Sequence, residues 1–80
     1  MKDYASCPES VRGGLERYIE DKIEPGGFLV KVLENDLFGA MGAADFHNRM
    51  ILFDIVSWIY NNAPATCWGS KDQIIAWLKE

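Results

Sequence analysis

His47 is the single histidine of the chain, and histidine is the residue type most often used as a general base. A catalytic histidine needs a nucleophile or an orienting carboxylate within hydrogen-bond reach. The nearest carboxylate in sequence is Asp45, which is the expected N-cap of the helix that carries His47. The pattern therefore favours a surface or partly buried histidine over a catalytic one.

Asp36 and Asp54 are carboxylates that lie among apolar residues in the sequence. A paired-carboxylate site needs two such groups a few ångströms apart, which spacing along the chain does not establish. A structural role is the favoured interpretation, in which each carboxylate accepts a hydrogen bond from a neighbouring helix or from Arg49.

Metal and phosphate motifs are weak in this chain. Cys7, Cys67 and His47 are too widely spaced to form a zinc motif. Gly26-Gly27 could cradle an anion, but without a preceding strand or a following Gly-Lys-Ser it is better explained as a helix-breaking turn. We therefore expect no enzyme active site, no metal and no cofactor.

The charge of the chain makes nucleic acid and anionic membranes poor partners. Twelve acidic residues face eight basic ones, and the net charge is −4. Nucleic-acid binding draws its affinity from lysine and arginine side chains that neutralise phosphates, and no basic run exists here. The surface is better matched to a basic protein.

The length and composition predict one small domain spanning residues 1–80. No signal peptide and no apolar run of about 18 residues is found, so we expect a cytoplasmic protein with reduced cysteines. Three Trp, three Tyr and four Phe give so short a chain more apolar surface than its core can bury. We expect a homo-oligomer, of which a two-fold dimer is the commonest form.

The periodicity predicts an all-α fold. A first helix follows Ser6-Cys7-Pro8, where Ser6 is the expected cap and Pro25-Gly26-Gly27 the end. A second is expected at about residues 28–40, interrupted on its apolar stripe by Asp36. The stripe of the first helix comprises Val11, Leu15, Tyr18, Ile19 and Ile23.

A third and longest helix is expected at residues 46–62, capped by Asp45. Because its middle is apolar nearly all round, it should be the central helix, covered by its neighbours. A buried strand within residues 51–59 is the competing prediction. Ser70 and Gln73 fit a capping box at the start of a short last helix. The expected architecture is thus a small bundle of three longer helices and one short C-terminal helix.

The segment from Tyr60 to Ser70 is the most irregular part of the chain, and it is rich in polar and aromatic residues. Trp68 within it can be a core plug that anchors the loop. It can also be a contact residue, since Trp and Tyr are enriched at binding hot spots. The plug interpretation is favoured.

The chain resembles a family of small phage and prophage proteins. The resemblance is carried by Gly26-Gly27-Phe28-Leu29, Asn35-Asp36-Leu37, Ala44-Asp45 with Asn48, Tyr60-Asn61 with Pro64, and Trp68-Gly69-Ser70 with Trp77. It covers about residues 4–80 and departs at Phe38–Met41, where a more polar helix end is expected. The resemblance implies a phage-derived protein of the host cytoplasm. It implies no mechanism, because the family has no established activity.

This setting suggests a non-enzymatic protein that binds and blocks a host factor stoichiometrically. One alternative is a sponge that sequesters a nucleotide signal between protomers, with Lys31 and Arg49 as cations and Tyr60 and Trp68 as stacking rings. Another is an accessory protein of phage replication. The candidate binding residues are Asn35, Asp36, Asn48, Arg49, Tyr60, Asn61, Trp68 and Ser70. Among them, Asp36 and Asn48 are expected to be structural, and Asn35, Tyr60 and Asn61 to contact a partner.

Overall fold

A computed structural model describes residues 3–80 of the chain. It contains six helices: α1 (Glu9–Asp21), α2 (Gly27–Leu33), α3 (Leu37–Ala43), α4 (Phe46–Met50), α5 (Leu52–Asn62) and α6 (Lys71–Lys79). Two short 3-10 turns cover Tyr4–Ser6 and Ala65–Cys67. Since residues 3–80 contain no strand, the all-α prediction is confirmed and the competing strand at residues 51–59 is wrong.

The architecture of three longer helices and one short helix is not reproduced, because two of the expected helices are each divided. The second ends at Leu33 and resumes at Leu37, since Asn35 adopts a left-handed conformation (φ 67°) and Asp36 caps a new helix. The third is interrupted at Ile51, whose φ of −114° and ψ of 18° depart from helical values. The chain is therefore a set of short helices rather than a bundle of long ones.

The longest of the expected helices is not covered on all sides. On α5, Ile55 and Ile59 are buried together with Trp58, while Phe53 and Tyr60 on the opposite side are 82% and 71% exposed. A helix that is apolar all round was expected to lie at the centre. Here one apolar side of α5 faces the core and the other faces outward.

The ends of the helices follow the capping chemistry only in part. Asp45 accepts a hydrogen bond from the Asn48 amide at 2.8 Å, and Ser70 accepts one from the Gln73 amide at 3.2 Å, as expected. Ser6 does not cap α1, since its hydroxyl donates to the carbonyl of Asp3. Ile23, expected on the buried stripe, lies beyond the end of α1 and is half exposed.

The core brings together residues from both ends of the chain. Its buried members are Cys7, Val11, Leu15, Tyr18, Ile19, Leu29, Leu33, Ile55, Trp58, Ile59, Cys67, Ile74 and Trp77. Burial raises the pKa of the Cys7 thiol to about 11, against an opposing effect of the nearby Arg12 charge. Cys7 therefore stays a neutral thiol around neutral pH and behaves as a small apolar side chain.

Tyr18 connects three separate parts of the fold. Its hydroxyl donates to the backbone carbonyl of Cys67 at 2.8 Å, and its own carbonyl accepts the indole N–H of Trp77 at 3.0 Å. Burial raises the pKa of the Tyr18 hydroxyl, which therefore remains a donor across the physiological range. The Gly69 amide, on the same loop as Cys67, donates to the Leu33 carbonyl at 2.7 Å and ties that loop to α2.

In the part of the chain that the structure describes, no helix has both the length and the apolar character needed to cross a bilayer.

Replacing Tyr18 with Phe should lower the free energy of unfolding by about 1–3 kcal/mol, because it removes the buried hydrogen bond from the Tyr18 hydroxyl to the Cys67 carbonyl. Urea denaturation followed by circular dichroism measures the change. Tyr60→Phe is the matched control, since that ring is largely exposed and its loss of a hydroxyl should change stability by less than about 0.5 kcal/mol. Equal stability of Tyr18→Phe and the wild type would contradict the role given to Tyr18.

Truncation of Ile55 or Ile59 to Ala should cost about 2–5 kcal/mol, the usual range for a buried aliphatic side chain. Val56 lies between them on the same helix but is 45% exposed, so Val56→Ala should cost clearly less. Thermal melts of the three variants test which side of α5 faces the core. If Val56→Ala lowered the melting temperature as much as the other two, the assignment of the buried side would be wrong.

Candidate protein-binding cleft

A small apolar cleft lies between α2, α5 and the loop that precedes α6. Its volume is about 130 Å³. The residues that line it are Val32, Leu33, Asn35, Val56, Ile59, Tyr60, Trp68 and Gly69. We call it the Tyr60–Trp68 cleft. Three of the predicted binding residues, Asn35, Tyr60 and Trp68, are thus brought together from positions far apart in sequence.

Two aromatic rings form one wall of the Tyr60–Trp68 cleft. The ring centroids of Tyr60 and Trp68 are 6.0 Å apart and tilted by 49°. Trp68 is half-buried, and its indole N–H donates to the Ala63 carbonyl at 3.5 Å, so it anchors the loop as the plug interpretation requires. Its ring also lines the Tyr60–Trp68 cleft, and a contact between Trp68 and a partner stays a prediction. Tyr60 projects from the outward side of α5.

The backbone around the cleft is fixed by the conformations of Asn35 and Gly69. The Asn35 amide donates to the Val32 carbonyl at 3.1 Å, and the Asp36 amide donates to the Lys31 carbonyl at 2.9 Å. This pair of hydrogen bonds, with the left-handed Asn35 directly after the C-cap residue of α2, is the Schellman motif that ends many helices. Gly69 has a φ of +121°, which side-chain-bearing residues rarely adopt.

Asp36 is a structural residue, as expected, but in a different way from the expectation. Its carboxylate accepts a hydrogen bond from the Gly39 amide at 2.9 Å and so caps α3. A Cβ atom at Gly39 would collide with that carboxylate, which explains the glycine there. The sequence interpretation took Asp36 as an interruption of one long helix because it treated residues 28–40 as a single periodic segment.

Lys31 is held by carboxylates of its own chain. Its ammonium lies 3.2 Å from Glu34 and 3.6 Å from Asp36. The hydrogen bond with Glu34, followed by the negative charges of Glu34 and Asp36, raises the pKa of Lys31. A phosphate at this position would have to compete with two carboxylates for the same cation.

Asn48 and Arg49 lie on α4, away from the cleft. The side-chain oxygen Oδ1 of Asn48 accepts a hydrogen bond from the Ser10 hydroxyl at 2.7 Å and ties α4 to α1. The Arg49 guanidinium donates to the Ala44 carbonyl at 3.3 Å. His47, on the same helix, is exposed. The Asn48 side chain thus has a partner within the fold, and its structural role stays a prediction.

Asn61 lies outside the Tyr60–Trp68 cleft, on a wide polar depression of about 460 Å³. Its side-chain amide nitrogen donates to the Ser57 carbonyl at 2.8 Å, one turn earlier on α5.

Asp54 lines the same depression, whereas Asp36 lines a different one, so the two carboxylates do not share a site. The lining residues are Ser6, Pro8, Ile51, Asp54, Ser57, Trp58, Asn61 and Asn62. They include a carboxylate and no cation, which does not suit an anionic ligand.

The apolar lining of the cleft was missed by the sequence interpretation. Val32 and Leu33 fall within the apolar stripe of the expected second helix, and Val56 and Ile59 within the apolar middle of the expected third helix. Val56 was counted within a helix covered on all sides, whereas it lines the edge of an open cleft. An apolar residue such as Val56 on the exposed side of a helix indicates a possible contact surface. The sequence cannot show this until it is known which side of the helix is buried.

Comparisons with protein-family models, with curated proteins and with solved structures found no match for this chain.

Asn35→Ala should lower the free energy of unfolding by about 1 kcal/mol, because a Cβ-bearing residue other than Asn or Asp pays to adopt the left-handed conformation. Asn35→Gly should fold as well as the wild type, since glycine suits that position without strain. Asn61→Ala is the control, because Asn61 is an exposed asparagine within a helix, and it should change the free energy of unfolding only slightly. Chemical denaturation of the three variants checks this order. Asn35→Ala as stable as Asn35→Gly would show that the backbone does not dictate the residue.

Proposed function

We propose that this is a non-enzymatic, phage-type protein that binds a host protein stoichiometrically and that the Tyr60–Trp68 cleft receives the partner. The observation that carries the proposal is an apolar cavity walled by Tyr60 and Trp68, with the Tyr60 ring 71% exposed. Exposed aromatic rings beside an apolar cavity are the residue types and setting of binding hot spots.

The size of the cleft favours an amino-acid side chain over a small molecule. Pockets for drug-sized ligands and cofactors are usually about 300–1,000 Å³. The Tyr60–Trp68 cleft holds about 130 Å³, which is room for one apolar side chain of a partner protein. A nucleotide would leave most of its surface outside such a cleft.

The charges favour a partner whose contact surface is basic around an apolar anchor. The chain carries a net charge of −4, and an acidic surface attracts a basic one over a Debye length. The nucleotide sponge would need free cations beside the stacking rings. Lys31 is already held by Glu34 and Asp36, and Arg49 does not line the cleft. These contacts support the host-protein proposal over the sponge, while a replication role differs only in the identity of the partner.

Tyr60→Ala should abolish capture of a specific protein from bacterial host lysate while leaving the fold intact, because the Tyr60 ring is largely exposed. Ile75→Ala is the matched control, since Ile75 is an exposed apolar residue on α6, outside the cleft. Quantitative mass spectrometry of the captured proteins compares the wild type with both variants.

Titration calorimetry with the purified partner completes this test. We expect one partner per chain, affinity that weakens as ionic strength rises, and a loss of roughly 30-fold or more for Tyr60→Ala, as for a hot-spot residue. Equal affinity of the wild type and Tyr60→Ala would remove the cleft from the contact. A nucleotide that raises the melting temperature of the purified protein would instead favour the sponge.

A further inference from the structure

Six large apolar side chains on α3, α4 and α5 face outward. They are Leu37, Phe38 and Met41 on α3, and Phe46, Met50 and Phe53 on α4 and α5; we call them the phenylalanine face. Phe38, Phe46 and Phe53 are 87%, 75% and 82% exposed. Apolar residues scattered singly over a surface are normal, but a set of this size on consecutive helices marks an interaction surface.

The members of the phenylalanine face are neighbours along and between helices. Leu37 and Met41 are one turn apart on α3, as are Phe46 and Met50 on α4. A groove of about 180 Å³ adjoins the face at Leu37. It is lined by Leu37 and Ala40 on α3 and by Leu52 and Val56 on α5, together with Val32 and Asn35–Asp36. Phe53 follows Leu52 directly and lies one turn before Val56.

The area of the phenylalanine face matches what a stable dimer needs. Three phenylalanine rings at these exposures present roughly 150 Å² each, and the Leu and two Met side chains add roughly 100 Å² each. The total of about 750 Å² is close to the 800 Å² or so that each partner contributes to an interface of standard size.

The distribution of charge identifies a second copy of this chain as the occupant. Residues 37–62 contain three charged side chains, Asp45, Arg49 and Asp54, out of twenty in the whole chain. The net charge of this stretch is −1, so the remaining −3 of the total −4 lies in residues 1–36 and 63–80. Two copies of an acidic protein repel each other wherever their charges meet, and this stretch carries few of them. Asp36, which also lines the groove, is paired with the Lys31 ammonium at 3.6 Å.

The phenylalanine face also has the shape that two-fold pairing requires. In such a pairing the same patch is used twice, so a projecting group on one copy must fit a recess on the other. The face offers both, since Phe53 is 82% exposed and directly follows Leu52, which lines the groove between α3 and α5. A groove of about 180 Å³ can admit one aromatic side chain.

We propose that the protein forms a two-fold homodimer through the phenylalanine face, with Phe53 of each copy seated in the α3–α5 groove of the other. This inference does not rest on the proposed function, because Tyr60 and Trp68 are not among the six residues. The groove adjoins the Tyr60–Trp68 cleft at Val32 and Val56, so the dimer would carry two clefts at the edges of its interface.

Sedimentation equilibrium of the wild type, Phe53→Asp and Ile75→Asp tests the dimer. At tens of micromolar we expect the wild type to sediment at twice the monomer mass of 9.1 kDa. Phe53→Asp places two like charges near the axis and removes two rings, so the dimer dissociation constant should rise roughly 100-fold or more. Ile75→Asp puts the same charge on an exposed apolar residue of α6 and should leave the dimer intact.

Circular dichroism melts at a dilution that gives monomers show whether Phe53→Asp still folds. Phe38→Asp, on α3 next to the groove-lining Leu37, serves as a second variant and should also dissociate the dimer. A monomeric wild type would overturn the proposal and leave the phenylalanine face to a different protein. A dimer whose dissociation constant is unchanged in Phe53→Asp and Phe38→Asp would overturn it as well, whatever the result for Ile75→Asp.

Discussion

The hydrogen bond from the Tyr18 hydroxyl to the Cys67 carbonyl is the contact on which the rest of this fold depends. It joins α1 to a loop 49 residues further along the chain, and the Tyr18 carbonyl in turn receives the indole of Trp77 from α6. Short helices bury little surface pairwise, so a chain of 80 residues needs such long-range links. The loop held by Tyr18 then presents Trp68 to the cleft. The position of the candidate site therefore follows from the core.

The sequence was sufficient for the fold class, for α1 and α6 and for two of the helix caps. Helical spacing predicts Val11, Leu15, Tyr18 and Ile19 on one buried face because local periodicity reports which side of a helix is apolar. Helical spacing did not predict the helix boundaries between residues 28 and 62, where each of two expected helices is divided into two. The left-handed Asn35 is the physical reason for the first break, and the sequence signal was the pair Asn35-Asp36, an αL residue followed by a cap.

The sequence predicted the aromatic and polar residues of the candidate site but not its apolar residues. Asn35, Tyr60 and Trp68 were singled out by residue type, and the structure brings them to one cleft. Val32 and Val56 could not be recognised, because their spacing is that of core residues and the sequence does not say which helix faces remain uncovered. Ser70 accepts a hydrogen bond from the nearby Gln73 amide, as short polar side chains at helix starts often do. The Asn48 side chain is instead bonded to Ser10, 38 residues earlier in the chain, which residue type alone does not predict.

The division into short helices and the outward apolar side chains have a common origin. Had residues 28–40 and 46–62 formed two long straight helices, α5 could have been covered on both sides by neighbours. After the turn at Asn35, α3 instead packs mainly against α2, and a groove remains between α3 and α5 that Phe53 does not line. The rings left outside lower solubility unless something covers them, and a chain with so small a core gains stability when they are covered. The candidate cleft and the groove thus share residues Val32, Asn35 and Val56, which lie at the break in the second predicted helix and on the helix that faces it.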